Sequence, residues 1–231
     1  MQPVTIVTVV HDAFKFAELC VKATHRRTPE QHKHVIIDNG SGTSTLTMLR
    51  RYKNSNAIDL WERRLPKNAS GHARSLNWYL YTLKPDTELV CLLDSDAYPV
   101  KSGWLTELYQ HMEEQEADAT GFPHFRDNTL LHPACMLFKM SAINHAGNPD
   151  WRISKRPDKF HDTGMIACTK MREYGAKLLP LSEEVMNGLV RHRWCGTRIE
   201  IAKNGVLDGH MPRDEYDQIS SEWFSDESAK I

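Results

Sequence analysis

The sequence predicts an α/β domain in which a central sheet is flanked by helices, and three observations lead there. Apolar segments of strand length alternate with helix-spaced segments through the first quarter of the chain, the order of a right-handed parallel βαβ unit. Leu89, Val90, Cys91, Leu92 and Leu93 form an apolar run with no polar alternation, as in a strand covered on both faces. The chain has 231 residues, enough for one core of ordinary size, and shows no internal repeat or low-complexity linker.

Taken in order, Val4 to Val10 is β-branched almost throughout and reads as a first buried strand ending at His11 and Asp12. Phe16, Leu19, Cys20 and Ala23 then follow helical spacing. His34 to Ile37 is a second strand, closed by Asp38, Asn39, Gly40, Ser41 and Gly42. Leu46, Leu49 and Tyr52 line the next helix. The loop glycines do not make a dinucleotide fingerprint, because position 45 is Thr and the loop follows the second strand. Asp59 to Glu62 is a short third strand, and Gly71 to Leu83 a helix whose Arg74 and Asn77, one turn apart, read as a solvated face. Beyond Leu93, Ser102 is placed to cap a helix carrying Leu105, Leu108 and Met112 inward. Ala117 to Phe122 and Ala134 to Phe138 read as strands, His124 to His132 as a polar loop, and 144 to 159 as an irregular basic surface loop. Asp162 precedes a helix ending near Gly175, and Leu178 to Leu181 is the last core strand. From Ser182 the chain turns polar, with Arg191, His192, Arg193, Trp194 and Arg198 clustered and a frayed acidic tail from about Asp217.

Composition narrows the function. Lys plus Arg is 29 and Asp plus Glu 30, so no net field favours nucleic acid or an anionic membrane. No apolar run reaches transmembrane length, and the N-terminus lacks a signal-peptide layout. The five cysteines lack C-x-x-C spacing, and four have apolar neighbours. They read as reduced core thiols, with a cytoplasmic location expected.

The chemistry concentrates at Asp94, Ser95 and Asp96, where the apolar run stops. With fifteen aspartates in the chain, about one Asp-x-Asp arises by chance, so position carries the signal. Carboxylates at the carboxyl end of a buried strand lie where open α/β sheets bind ligands, and they call for a positive partner. Hard oxygen ligands suit Mg²⁺ or Mn²⁺, ions that share their coordination with substrate phosphates. The competing reading is a solvated turn. Asp162 carries two compatible readings, the N-cap of the following helix or a general base held ionised at that helix's start.

The pieces VTIVTVVHDA, HVIIDNGSGT, GHARSLNW, ELVCLLDSDAYP and FHDTGMIACTKMREYGAKLLPL, in that order, resemble the family 2 glycosyltransferases of the GT-A fold over most of the chain. The resemblance implies a Rossmann-like mixed central sheet in a single domain, with residues 1–100 as the nucleotide-sugar half, 101–216 as the acceptor half and 217–231 as a C-terminal tail. It implies an inverting, Mn²⁺- or Mg²⁺-dependent transfer from a nucleoside-diphosphate sugar, UDP by default, to a hydroxyl of a glycan or other acceptor. Val9, His11 and Asp38 would line the nucleoside pocket, Arg74 would lie near the base or diphosphate, and Asp94 near the ribose beside Ser95. Asp96 and His210 would hold the metal, and Asp162 would be the base. The family's Glu-Asp pair reads His161-Asp162 here, so position 161 departs from the pattern. Arg193 and Arg213 are candidates to close over the diphosphate. Two other readings stand beside this one. A nucleotidyltransferase would need a Gly-rich basic loop that residues 8 to 14 lack, and a sugar-nucleotide-binding module would bind without turnover.

Overall fold

A computed structural model describes residues 1–63, 69–156 and 159–193 of the chain. Strand β1 (Val4–Val10) is buried at every position and lies between its parallel neighbours β2 (His32–Asn39) and β4 (Leu89–Leu93). Helix α1 (Phe14–Arg27) follows β1, and its last turn carries the cations Arg26 and Arg27, which suit the negative end of the helix dipole. Helix α2 (Thr43–Asn54) leads to the parallel edge strand β3 (Asp59–Arg63). Helix α3 (Ala69–Trp78) ends in a π-helical turn, Tyr79–Leu83.

After β4 come the short β5 (Ala97–Pro99), α4 (Trp104–Glu114), β6 (Ala119–His124) and the long β7 (Asp127–Lys139). The chain continues through α5 (Met140–His145), a small hairpin of β8 (Ser154–Arg156) and β9 (Lys159–His161), and α6 (Met165–Glu173). It then forms β10 (Leu178–Pro180), α7 (Glu183–Leu189) and β11 (Val190–His192). The main sheet runs β10-β6-β7-β4-β1-β2-β3 and is mixed, because β7 is antiparallel to both β4 and β6 while the other pairings are parallel.

Alternation along β4 explains why its sequence has no polar phase. Val90 and Leu92 face a cluster with Val7, Ile37, Leu76, Leu80, Phe138 and Trp151. Leu89, Cys91 and Leu93 face the opposite cluster with Ile6, Trp104, Leu105, Leu108 and Leu189. Each face is covered, and each buried Leu or Val contributes about 1.5–3 kcal/mol. Cys20, Cys91, Cys135 and Cys168 are buried free thiols, as expected, and Cys195 lies outside the described residues.

Several local readings change. His124 to His132 is the end of β6 and the start of β7 rather than a loop, and its polar residues mislead because His124 is buried against His132, ring centroids 5.1 Å apart. Ser102 does not cap α4, whose N-cap is Gly103 at φ 75° with no side-chain hydrogen bond. The polar stretch after Leu181 forms α7 and β11, with Ser182 capping α7 by accepting the Val185 N–H and β11 pairing with β5. Asn77 is not on a solvated face, since its side chain bonds to Asp150 and Trp151.

Gly121 lets β6 lie close to β7. Its φ is 154°, and a Cβ there would stand 2.2 Å from the Cys135 carbonyl oxygen and 2.9 Å from Met136 Cα. Only glycine fits such an approach.

A candidate metal and nucleotide-sugar site

The site lies where β1, β2 and β4 end together, because parallel strands deliver their carboxyl ends to one edge. Val9 is buried at the end of β1, and His11 follows half-buried, with Nε2 3.8 Å from Asp12 Oδ2. Asp12 adopts φ 48°, donates its N–H to Ser41 Oγ (3.0 Å) and accepts the Gly42 N–H. The loops after β1 and β2 are thereby tied to each other. Asp38 is 2% exposed, and its carboxylate accepts the N–H groups of Gly40 and Ser41. Burial pushes its carboxyl up, against the pull of those hydrogen bonds. Arg74 sits exposed on α3, two residues beyond His72.

β4 runs straight into Asp94, whose N–H donates to the Ala134 carbonyl and whose carbonyl accepts the Ala97 N–H. The turn buries Ser95 and Asp96. β11 then pairs with β5 so that His192 stands opposite Ala97, and the Arg193 N–H donates to the Asp96 carbonyl. This pairing carries a distant imidazole to the aspartates. His192 Nε2 is 3.1 Å from Asp96 Oδ1 and 3.9 Å from Asp94 Oδ2, while His72 Nε2 on α3 is 3.6 Å from Asp94 Oδ1. One donor atom each from Asp94, Asp96 and His192 lie within 4.8 Å of one another. Such a set could hold a divalent cation.

The electrostatics fit that reading. Burial pushes the Asp94 carboxyl up, His72 and His192 pull it down, and the charges of Asp96 and Asp162 raise it further. A cation would relieve this repulsion between the buried Asp96 and the half-buried Asp94. Burial lowers the His192 imidazole, but the Asp96 hydrogen bond and the charges of Asp96 and Asp94 raise it more. Behind it, burial and then the neighbouring His192 and His124 push His132 down to about 3, so it packs as a neutral ring 6.0 Å from His192.

Asp162 follows β9. Its Oδ1 accepts the Thr163 N–H (2.8 Å), and the N-cap of α6 is Gly164 at φ 81°, so Asp162 is not the helix cap. Its charge acts on both Asp94 and His124, which sets it near them. His210, Arg213, Trp194 and Arg198 lie outside the described residues, as does the tail. The sequence reading did not assign His192, His72, His124 or His132. His72 stood inside the quoted GHARSLNW, and His192 inside the Arg/His/Trp cluster, but their spacing to the aspartates carries no local signal.

The profile of Glycosyl transferase family 2 matches residues 5–172. The chain belongs to this family. No curated protein matches it. Among solved structures, residues 1–349 of S. aureus TarS superpose with a TM-score of 0.60 at 13% identity, over 94% of this chain and 69% of that one. The mannosyltransferase PcManGT from Pyrobaculum calidifontis, in complex with GDP-Man and Mn²⁺, gives a TM-score of 0.60 at 15% identity over 96% of this chain and 69% of that one. TarS 1–349 in complex with UDP-GlcNAc gives 0.57 at 14%, over 96% and 73%. At these identities the structures speak for the shared GT-A fold. This family 2 glycosyltransferase thus folds as a single domain around a mixed sheet that matches the fold of those structures, and no helix among its described residues is long and apolar enough to cross a membrane.

Proposed function

We propose that the protein is a metal-dependent, inverting glycosyltransferase that moves a sugar from a nucleoside-diphosphate sugar, UDP by default, to a hydroxyl of a glycan or other acceptor. The observation that carries this is the convergence of Asp94, Asp96 and His192 within 4.8 Å, at the carboxyl edge of the sheet, with the Asp162 charge acting on Asp94. The structures of PcManGT with GDP-Man and Mn²⁺ and of TarS with UDP-GlcNAc support a nucleotide sugar here.

Asp96 and His192, with Asp94 beside them, would hold Mn²⁺ or Mg²⁺, and His210, outside the described residues, is a further candidate ligand. When bound, the ion neutralises charge on the departing nucleoside diphosphate. Val9, His11 and Asp38 enclose the nucleoside, Asp94 and Ser95 lie toward the ribose, and Arg74, Arg193 and Arg213 supply guanidinium groups to base or diphosphate. Asp162 takes the proton from the acceptor hydroxyl as its oxygen attacks the anomeric carbon from the face opposite the leaving group. A single displacement inverts that centre.

A thermal-shift screen of UDP-, GDP- and dTDP-sugars with and without Mn²⁺ tests the donor site, and Asp162→Asn tests the base. The expected result is Mn²⁺-dependent stabilisation by one nucleotide class, with transfer lost but binding kept in Asp162→Asn. Stabilisation without metal, or full transfer by that variant, would reject the assignment.

A further inference from the structure

We infer that Asn77 is a positioning residue for Asp162, clamping the loop that precedes it to the helix lining the donor side of the cleft. This rests on the reading of Asp162 as the base. Asn77 sits on α3, the helix whose His72 stands 3.6 Å from Asp94. Its Nδ2 donates to Asp150 Oδ1 (2.7 Å) and its Oδ1 accepts the Trp151 N–H (3.1 Å). Asp150 in turn accepts the Arg152 N–H and its Nε (2.9 and 2.7 Å), closing the turn that Asn77 grips.

From there the connection runs to Asp162 in two steps. Trp151 is fully buried, packs on Phe138 with ring centroids 5.9 Å apart, and donates its indole N–H to Tyr81 Oη (2.9 Å). Tyr81 belongs to the π-helical turn after α3 and donates its own O–H to the Pro149 carbonyl. Such turns recur at functional sites. The Trp151 carbonyl accepts the Gly164 N–H (3.1 Å), two residues beyond Asp162. Gly164, at φ 81°, packs closely here, since a Cβ there would stand 3.3 Å from Pro133 Cδ and 3.5 Å from the Trp151 ring. The Met165 N–H donates to the Asp162 carbonyl and the Thr163 N–H to its carboxylate (3.2 and 2.8 Å). One helix therefore touches both groups, Asp94 through His72 and the turn carrying Asp162 through Asn77 and Trp151.

Hydrogen exchange tests this without any ligand. Asn77→Ala is expected to speed exchange at Trp151 and at Gly164, which Asn77 does not touch, by about tenfold or more, leaving β1 amides unchanged. Asn77→Asp keeps the acceptor for Trp151 but repels Asp150, and should behave similarly. Asn77→Asp combined with Asp150→Asn restores the donor–acceptor pair between positions 77 and 150, at the loss of the Arg152 N–H bond to Asp150 Oδ1, and should recover part of the protection. Nucleoside-diphosphate release from UDP-GlcNAc or GDP-mannose should fall about a hundredfold in kcat with donor KM unchanged, as misplacement of a catalytic group requires, and should recover in the double variant. Unchanged Gly164 exchange in Asn77→Ala, or lost protection that the double variant leaves lost, overturns the clamp. If the unaltered protein releases nucleotide from neither donor, the proposed donor chemistry fails while Gly164 exchange still decides the clamp.

Discussion

The two halves of the sheet reach the cleft by different means. From β1 to β4 the strands are parallel and regular, and the three inner ones, β1, β2 and β4, are largely buried and close on polar residues: His11, Asp38 and Asp94. Val9 and Asp38 lie at the ends of their strands, His11 and Asp94 just beyond theirs, and His72 and Arg74 on α3. From β6 onward the sheet reverses, a glycine lets two backbones crowd, and the side chains at the cleft arrive through long-range pairing, His192 through β11 on β5 and Asp162 through a loop tied to α3. Local runs of sequence build the first half, whereas the second half is positioned by contacts between segments far apart in the chain.

The largest effect should come where the halves meet. Asp96→Ala, which removes a carboxylate supplied by β4, is expected to abolish Mn²⁺-dependent stabilisation by nucleoside diphosphate, and His192→Ala, which removes the donor from β11, to weaken Mn²⁺ binding more than His210→Ala does. Calorimetric Mn²⁺ titration of the three variants ranks them, and a larger loss in His210→Ala would give the third ligand to the C-terminal segment instead.

The crowding in the second half gives the next effect. Gly121→Ala forces a Cβ against the β7 backbone and should destabilise by about 4 kcal/mol or more in urea unfolding. Leu92→Ala, in the regular first half, leaves only a cavity and should cost about 2–5 kcal/mol. A Gly121→Ala protein as stable as the parent would show that β6 and β7 can part at no cost.

Acid should separate the halves by sign. His34, on β2, is buried, hydrogen-bonded to Thr8 and held down at about 3 chiefly by burial. Below about pH 6.5 the unfolded chain takes a proton that native His34 refuses, so its contribution falls with acidification by about 1.4 kcal/mol per pH unit until about pH 3. His192 is raised instead, so in metal-free protein its stabilisation is present below about pH 6.5 and is lost as pH rises through its native value. His34→Gln should flatten the loss of stability between pH 7 and 5, and His192→Gln should steepen it. The same slope in all three proteins would remove both imidazoles from the pH dependence.

The smallest effect concerns helix starts. Ser182→Ala removes a cap from α7 and should cost about 1 kcal/mol, while Ser102→Ala should cost nothing measurable, since Gly103 caps α4 without it. An equal loss in both would mean that Ser102 caps α4 in solution.

The difference between the halves also decided what could be read in advance. Strand and helix order through Leu93 followed from periodicity, and the aspartates at the end of β4 stood out because a buried strand cannot continue through two carboxylates. Ser102 misled because the cap rule is local, and α4 starts instead from a left-handed glycine. His124 to His132 misled because polarity predicts exposure only while side chains face water, and these imidazoles pack against one another. Asn77 misled likewise, its polar side chain being spent on a loop more than seventy residues away.

By itself the sequence determined the alternation of strands and helices, the burial of β4 on both faces and the position of the Asp94–Asp96 pair, because each depends on residues a few places apart. Only the tertiary structure decided that His192 meets those aspartates, that His72 leans on Asp94, and that Asn77 is joined through Trp151 to the loop of Asp162. Those relations depend on strand register and loop docking across long stretches of chain, and no local spacing encodes the geometry by which they close.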